Sequence, residues 1–144
     1  MKKYFVFLTI ALLSINLGSC SNSKANGDEK KSSEVSSVIA QTIQILYFHG
    51  DRRCPTCIKV GEVSQNLIIT KYAANSVVVF KDVNIDKDEN KAIAEKYQIT
   101  GSSLIIDVNG EVTNITVDAF KYARTEPAKL ETIITDIIEK GLKK

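Results

Sequence analysis

Several residue types on which common functional sites depend are scarce or missing in this chain. Its 144 residues include no tryptophan, a single histidine, two prolines and three cysteines. An excess of charge of one sign is also lacking, since 19 basic residues stand against 17 acidic ones. Neither a glycine-rich phosphate loop nor a basic stripe with interleaved aromatic residues occurs. The sequence therefore offers no signal for binding nucleotides or nucleic acids.

The N-terminal residues have the pattern of a secretory signal. Lys2 and Lys3 precede the uncharged, largely apolar stretch Tyr4–Leu17, and small residues then lead to Cys20. A membrane-spanning helix needs about 20 apolar residues, whereas this stretch is shorter and contains polar side chains. The segment Leu17–Cys20 resembles the lipobox of bacterial lipoproteins.

The lipobox resemblance implies a protein anchored to a bacterial membrane. Cys20 would receive diacylglycerol, residues 1–19 would be removed, and the lipid would hold the chain on a membrane surface outside the cytoplasm. Removing residues 1–19 takes away two basic residues and no acidic one, so the mature charges balance and no nucleic-acid partner is expected. We expect a periplasmic or cell-surface location, where an oxidising environment lets disulfides form.

Composition divides the rest of the chain into two parts. Residues 20–35 are small, polar and charged, with almost nothing to bury, which predicts a lipidated flexible tether. Residues 36–144 have ordinary domain length and enough apolar residues for one core. We expect this domain to be a monomer.

The most informative motif is Cys54-Pro55-Thr56-Cys57, placed where the apolar run Ile45–His49 gives way to a helical pattern. Two thiols separated by two residues at a strand-to-helix junction can close into a disulfide and reopen, which indicates a redox centre. A passive staple is one alternative, but closing so small a ring contributes only about 2 kcal/mol. Metal binding by the pair is the other.

Hydrophobic periodicity predicts the element order βαβαββα in residues 36–144. The run Val77–Phe80, continuing to Ile85, is predicted as a second central strand. Asp86–Glu89 has the pattern of a capping box that opens a helix through Tyr97, and Asn109-Gly110 is a strong hairpin signal. The remaining predicted elements are strands at 43–49, 104–108 and 111–117, and helices from Cys57 to Lys71 and from Pro127 to Leu142.

This order, with Cys-x-x-Cys at the first strand-to-helix junction, resembles the thioredoxin fold over nearly all of residues 38–142. The stretches that carry the resemblance are Ile45–Cys57, Val83–Ile99 and Leu104–Glu111. The resemblance implies an α/β domain with a mixed central sheet flanked by helices. It also implies a thiol-disulfide oxidoreductase that acts on protein thiols and disulfides, exchanges electrons with a membrane redox partner and needs no cofactor besides its own disulfide. Cys54 would be the attacking nucleophile and Cys57 the buried resolving thiol.

The neighbours of the two cysteines support these roles independently. We expect Cys54 at the N-cap of the helix and Pro55 at its first position, where a missing amide donor costs nothing. The helix end and the charges of Arg52 and Arg53 would then stabilise a Cys54 thiolate. An ordinary solvated turn is the alternative interpretation of the two arginines. Pro55-Thr56 is closer to the Cys-Pro-x-Cys of glutaredoxins and periplasmic oxidases than to the thioredoxin motif, which indicates a less reducing potential.

Three departures separate this chain from the thioredoxin pattern. The family places a cis-proline just before the hairpin, whereas the corresponding position here falls on Ser103, and a cis bond before a non-proline residue costs roughly 3 kcal/mol. The buried carboxylate of the thioredoxin strand is missing, because Tyr47, Phe48 and His49 occupy that region. No tryptophan precedes the motif. A proton acceptor for Cys57 must therefore be found elsewhere.

His49 is the only histidine and lies at the end of the strand that delivers the cysteines. It could orient a thiolate, accept a proton from Cys57 or bind a metal with the pair, or it could be a strand-end residue hydrogen-bonded to backbone. Cys54, Cys57 and His49 supply only three soft ligands, which argues against a closed zinc site. A copper-binding or metallochaperone module using these residues stays open as the rival function.

Overall fold

The computed structural model describes residues 41–144, which form an α/β domain with a four-stranded mixed sheet flanked by four helices. The strands are β1 (Ile43–His49), β2 (Val78–Asn84), β3 (Ser103–Val108) and β4 (Glu111–Asn114). The helices are α1 (Pro55–Lys71), α2 (Lys91–Lys96), α3 (Thr116–Tyr122) and α4 (Pro127–Leu142), and a 3₁₀ turn at Asp88–Asn90 precedes α2. The predicted order βαβαββα is confirmed, with α3 inserted before the last helix, and the arrangement is compatible with a thioredoxin-like fold.

The order of strands across the sheet is β2-β1-β3-β4. β1 pairs in parallel with β2 and antiparallel with β3, and β4 returns antiparallel along β3. The prediction that Val77–Phe80 starts a central strand is wrong, since β2 is the outer strand of the sheet in the described range. β1 is flanked on both sides, and it is the strand that leads into the cysteine motif.

Helices cover both faces of the sheet, which explains the unbroken apolar run of β1. On one face, Ile43, Ile45 and Tyr47 pack with β3 against α1, α3 and α4. On the other face, Leu46 and Phe48 form a smaller cluster completed by Val83, Ile105 and residues around α2. Because successive strand residues point to opposite faces, both sets can be buried at once.

The last predicted strand is too long by several residues. β4 ends at Asn114, and the segment predicted as strand through Val117 instead turns into α3. The Asn114 side chain accepts a hydrogen bond from the amide of Thr116 at 3.0 Å, and the Thr116 hydroxyl accepts one from the amide of Leu104 at 3.0 Å. These bonds bury Ile115 and start the helix, so tertiary packing overrides the β-branched composition.

The predicted capping box at Asp86–Glu89 does not form. Lys87 is the N-cap of the 3₁₀ turn and makes no side-chain capping bond, and Asn90 likewise does not cap α2 through its side chain. The Asp86 carboxylate instead accepts a hydrogen bond from the amide of Asp51 at 2.7 Å. The segment therefore begins its helix later than predicted, because its first carboxylate is used by the loop after β1.

Across residues 41–144, none of the helices combines the length and the apolar character that crossing a membrane requires. The predicted signal segment, Cys20 and the predicted tether lie outside the described residues.

Candidate functional site

The cysteine motif lies at the junction between β1 and α1, as the sequence predicts. Cys54 is the N-cap of α1, with φ −74° and ψ 159°, and Pro55 occupies the first helical position. The Cys54 sulfur accepts a hydrogen bond from the amide of Cys57 at 3.0 Å. A sulfur in this position faces the unpaired amides and the positive end of the helix dipole, which favour its thiolate after reduction.

Cys54 and Cys57 form a disulfide whose two ends differ in accessibility. The Cα atoms lie 5.0 Å apart. Cys54 is exposed, whereas Cys57 is buried with 7% of its surface accessible. An incoming thiol therefore reaches Cys54 first, while Cys57 faces the protein interior.

Tyr47 lies beneath the buried end of the disulfide. Its side chain is fully buried, and its hydroxyl donates a hydrogen bond to the carbonyl oxygen of Cys57 at 2.5 Å. Burial raises the pKa of Tyr47, and the neighbouring Arg53 guanidinium partly opposes this rise. Tyr47 therefore stays a neutral hydrogen-bond donor through the physiological range.

Arg52 and Arg53 do not share one environment. Arg52 is exposed, whereas Arg53 is partly buried and turns back over the ring of Tyr47, with its guanidinium carbon 5.3 Å from the ring centroid. An ideal Cβ on Gly61 would lie 2.9 Å from an Arg53 Nη atom, so the absence of a side chain at Gly61 makes room for the guanidinium. The solvated-turn interpretation fits Arg52 and does not fit Arg53.

Both ring nitrogens of His49 have partners away from the disulfide. Nδ1 lies 2.8 Å from the carbonyl oxygen of Gly50, and Nε2 contacts the carboxylate of Asp82 on β2. His49 is buried, and its ring stacks on Tyr47 with the centroids 5.5 Å apart. This arrangement joins the end of β1 to the neighbouring strand and leaves no free ring nitrogen for a thiolate or a metal ion.

A second set of polar contacts fixes the loop between β1 and α1. The amide of Ile85 donates to the carbonyl of His49 at 2.8 Å, and the side-chain amide of Asn84 donates to Asp51 at 2.7 Å. A Cβ at Gly50 would approach the Asp86 carboxylate to 2.9 Å. The loop that presents Cys54 is thus held against the end of β2.

The other predicted site residues lie at the same end of the sheet or in the adjoining loop. Thr56 is partly exposed in the first turn of α1. Ser103 opens β3 opposite Phe48, its hydroxyl donates to the carbonyl of Gly101 at 3.2 Å, and the bond between Ser102 and Ser103 is trans. Within residues 41–144, no group of three or more His, Cys, Asp and Glu side chains is gathered in a way that could hold a metal ion.

Sequence reasoning missed the role of two residues here. The sequence indicates only that Tyr47 stands where the thioredoxin strand has a carboxylate, and it offers no motif that includes Asp82. A charged residue inside a predicted strand, Asp82, is the signal that could have found the partner of His49. The distinct position of Arg53 has a weaker signal in Gly61. A glycine inside a helix often marks a place where another group packs closely against the helix backbone.

Comparisons with known proteins add little to this geometry. No protein-family model matches the chain, and no curated protein matches it either. A solved structure described as "Structure of a malarial protein" is similar at 18% sequence identity over 52% of this chain and 80% of that one, with a TM-score of 0.40. A similarity this low supports no conclusion about the fold or the activity, so the argument for function rests on the site itself.

Proposed function

We propose that this protein is a thioredoxin-like thiol-disulfide oxidoreductase that acts on protein cysteines through Cys54 and Cys57. The observation that carries the proposal is the disulfide at the start of α1, with one exposed and one buried cysteine. The N-cap position of Cys54 adds the electrostatic setting that a reactive thiol needs. A disulfide that only stabilises the fold does not require one exposed and one buried cysteine.

The exchange proceeds through two thiolate attacks. In the reduced protein, the Cys54 thiolate attacks a substrate disulfide, forms a mixed disulfide and releases one substrate sulfur as a thiolate. The Cys57 thiolate then attacks Cys54, re-forms the internal disulfide and releases the second substrate sulfur. Two electrons pass from the protein to the substrate, and the same steps in reverse oxidise a substrate dithiol.

The proposal includes a location and partners. Cys20 carries the lipid that holds the mature chain on a bacterial membrane surface outside the cytoplasm, on the periplasmic or cell-surface side, where the pair meets protein thiols and a membrane redox partner. The metal-binding alternative is less well supported, because His49 is already engaged by Gly50 and Asp82.

Trapping of mixed disulfides tests the proposal. Cys57→Ala should accumulate disulfide-linked adducts with protein partners under oxidising conditions, because the attacking thiol is present and the resolving thiol is lost. Cys54→Ala should form none and should lose the reduction of insulin disulfides. Adducts on Cys54→Ala alone would reverse the two roles, and equal turnover by both variants would remove the enzyme proposal.

A further inference from the structure

The surroundings of Arg53 point to a further role at the site, and that role rests on the proposed redox function of the pair. Its guanidinium lies in the wedge between β1 and α1, against the Tyr47 ring and beside Gly61. Gly61 follows Cys57 by four residues on α1, and positions four apart are neighbours on a helix, with Cβ atoms about 5–6 Å apart. The guanidinium therefore lies beside the position that is one helical turn along α1 from the buried cysteine.

Arg53 is poorly satisfied while the disulfide is closed. Its Nε–H is buried without a hydrogen-bond acceptor among residues 41–144, and no carboxylate of that range forms a salt bridge with it. The Asp82 carboxylate also raises the pKa of Tyr47, but it is already in contact with His49. A partly buried cation with an unused donor is costly unless an anion joins it in another state of the protein.

Reduction of the disulfide creates such an anion. We propose that Arg53 is the counter-ion of the Cys57 thiolate in the reduced protein, and that it favours the uptake of electrons by the pair from dithiol substrates. Cys54 and Cys57 are then stabilised by different groups, the helix N-terminus for Cys54 and Arg53 for Cys57. Arg52, which is exposed, takes no part.

Two successive thiolate attacks transfer two electrons from the substrate dithiol to the pair. One thiolate of a substrate dithiol attacks the Cys54 sulfur, the bond between Cys54 and Cys57 breaks, and its electron pair leaves with Cys57 as a thiolate beside Arg53. The second substrate thiolate attacks the substrate sulfur of the mixed disulfide and releases Cys54 as a thiolate. The substrate loses two electrons and becomes a disulfide, the protein gains both, and the two substrate protons pass to solvent.

Thiolate titration in a single-cysteine background tests the counter-ion directly. In a Cys54→Ser protein, Arg53→Gln should raise the pKa of Cys57 by about one unit, the lower end of the shift that a nearby opposite charge produces. Arg52→Gln is the matched control and should move this pKa by less than half as much. Thiolate ultraviolet absorbance against pH measures both. An unchanged Cys57 pKa in Arg53→Gln, or equal shifts in the two variants, would overturn the proposal.

Equilibration of the intact pair with a dithiothreitol redox buffer gives an independent readout. Above the Cys57 pKa, Arg53→Gln should lower the equilibrium constant for electron uptake about tenfold, which is about 30 mV for a two-electron couple. Well below that pKa the thiol is neutral in both proteins, so the difference should vanish. A difference independent of pH would mean that Arg53 acts only through the fold, and the counter-ion proposal would fail.

Gly61→Ala keeps every charge and provides a second variant in case Arg53→Gln does not fold. The added Cβ would meet the Arg53 Nη atom and a Tyr47 ring carbon, each at 2.9 Å, and should push the guanidinium away. We expect a smaller shift of the Cys57 pKa in the same direction, and no shift would count against the proposal. These measurements need no protein partner, so they can succeed even if adduct trapping fails. Failure of the counter-ion proposal is therefore distinguishable from failure of the proposed oxidoreductase function.

Discussion

The Tyr47 hydroxyl donates a hydrogen bond to the carbonyl oxygen of Cys57, 2.5 Å away, and so connects β1 to the first turn of α1. The bond is fully buried and spans only ten residues of sequence. The bond holds the first turn of α1, which contains the buried cysteine. It is made to the backbone of Cys57, so the neutral hydroxyl does not act on either sulfur directly. Tyr47 is therefore a positioning residue of the candidate site.

Tyr47→Phe removes this bond and leaves the ring in place. Because the Cys57 carbonyl can still accept the helical hydrogen bond, we expect a loss of about 1 kcal/mol in the free energy of unfolding, the usual net value for one neutral hydrogen bond. Urea denaturation of the oxidised protein measures it. Tyr72→Phe is the control and should cost less, because its bond to the Glu139 carboxylate is only partly buried and water can replace the lost hydroxyl. A Tyr47→Phe protein as stable as the original would show that the bond contributes nothing.

The contact between His49 and Asp82 should also be measurable. His49 has a buried side chain, with 10% exposed, whereas that of Asp82 is 43% exposed, so solvent weakens the interaction. We expect a double-mutant cycle of His49→Gln and Asp82→Asn to give a coupling of about 0.5–1 kcal/mol. The exposed pair Lys59 and Glu62 supplies the matched cycle, with an expected coupling of at most about 0.5 kcal/mol. Equal couplings in the two cycles would show that the partial burial of His49 does not strengthen its contact with Asp82.

Two glycines should respond oppositely to substitution by alanine. A Cβ at Gly141 would lie 2.8 Å from Val108 Cγ1 and 3.0 Å from Ile43 Cδ1, inside the main core. Gly141→Ala should therefore cost about 1–3 kcal/mol of stability through overpacking. Gly101→Ala meets nothing within 4 Å and should be neutral or slightly stabilising. Thermal unfolding of both variants checks the pair, and the prediction fails if Gly141→Ala is the more stable.

Three tyrosines whose hydroxyls have a raised pKa predict a loss of stability at alkaline pH. Burial raises the pKa of Tyr47, Tyr72 and Tyr97, and the Tyr72 and Tyr97 hydroxyls also donate to the carboxylates of Glu139 and Asp107. In the unfolded chain tyrosine loses its proton near pH 10. As pH rises through that value, the unfolded state binds fewer protons than the folded state, so the free energy of unfolding falls until the folded pKa is passed.

Urea denaturation at a series of pH values measures this decline. Tyr72→Phe should make it shallower, because one group with a raised pKa is removed. Tyr122 is the control, since the neighbouring Lys129 and Lys121 lower the pKa of its hydroxyl, and Tyr122→Phe should not flatten the curve. If the free energy of unfolding falls equally at alkaline pH in Tyr72→Phe and in the unaltered protein, the explanation by the raised pKa of Tyr72 is wrong.

The proposed anchor is tested at Cys20. Cys20→Ser should block lipid attachment and leave the precursor uncleaved, because the thiol is the atom that receives the diacylglycerol. Fatty-acid labelling with membrane fractionation follows both effects, and Cys54→Ser serves as the matched variant that should still be labelled. Label on the Cys20→Ser protein would place the acylated site elsewhere.

The sequence is sufficient to predict those parts of the fold that depend on local pattern. The boundaries of β1, α1 and α4 follow from apolar periodicity and from Pro55 and Pro127 at helix starts. The turn between β3 and β4 follows from the hairpin signal Asn109-Gly110, whose residues have φ of 54° and 92°. Cys54 as the N-cap follows from the same rules. These features need no information from distant parts of the chain.

The parts that escaped prediction depend on contacts between distant residues. α3 forms because Ile115 and Thr116 meet Leu104 across the sheet, although the local composition favours a strand. Arg52 and Arg53 have the same local sequence signal. Their environments differ because the lack of a side chain at Gly61 leaves room for the Arg53 guanidinium. The outer position of β2 likewise depends on pairing order, which periodicity does not encode.

The position of β1 between β2 and β3 has a consequence for hydrogen exchange. Backbone amides of a strand bonded on both sides and buried on both faces exchange with solvent through the opening events of highest free energy, often only by global unfolding. β1 meets this description, since six of its seven residues are buried and it pairs along its length with both neighbours. Deuterium should therefore enter β1 last and the turn that presents the exposed cysteine early, and opening or closing the disulfide should alter exchange in the turn while the strand stays protected.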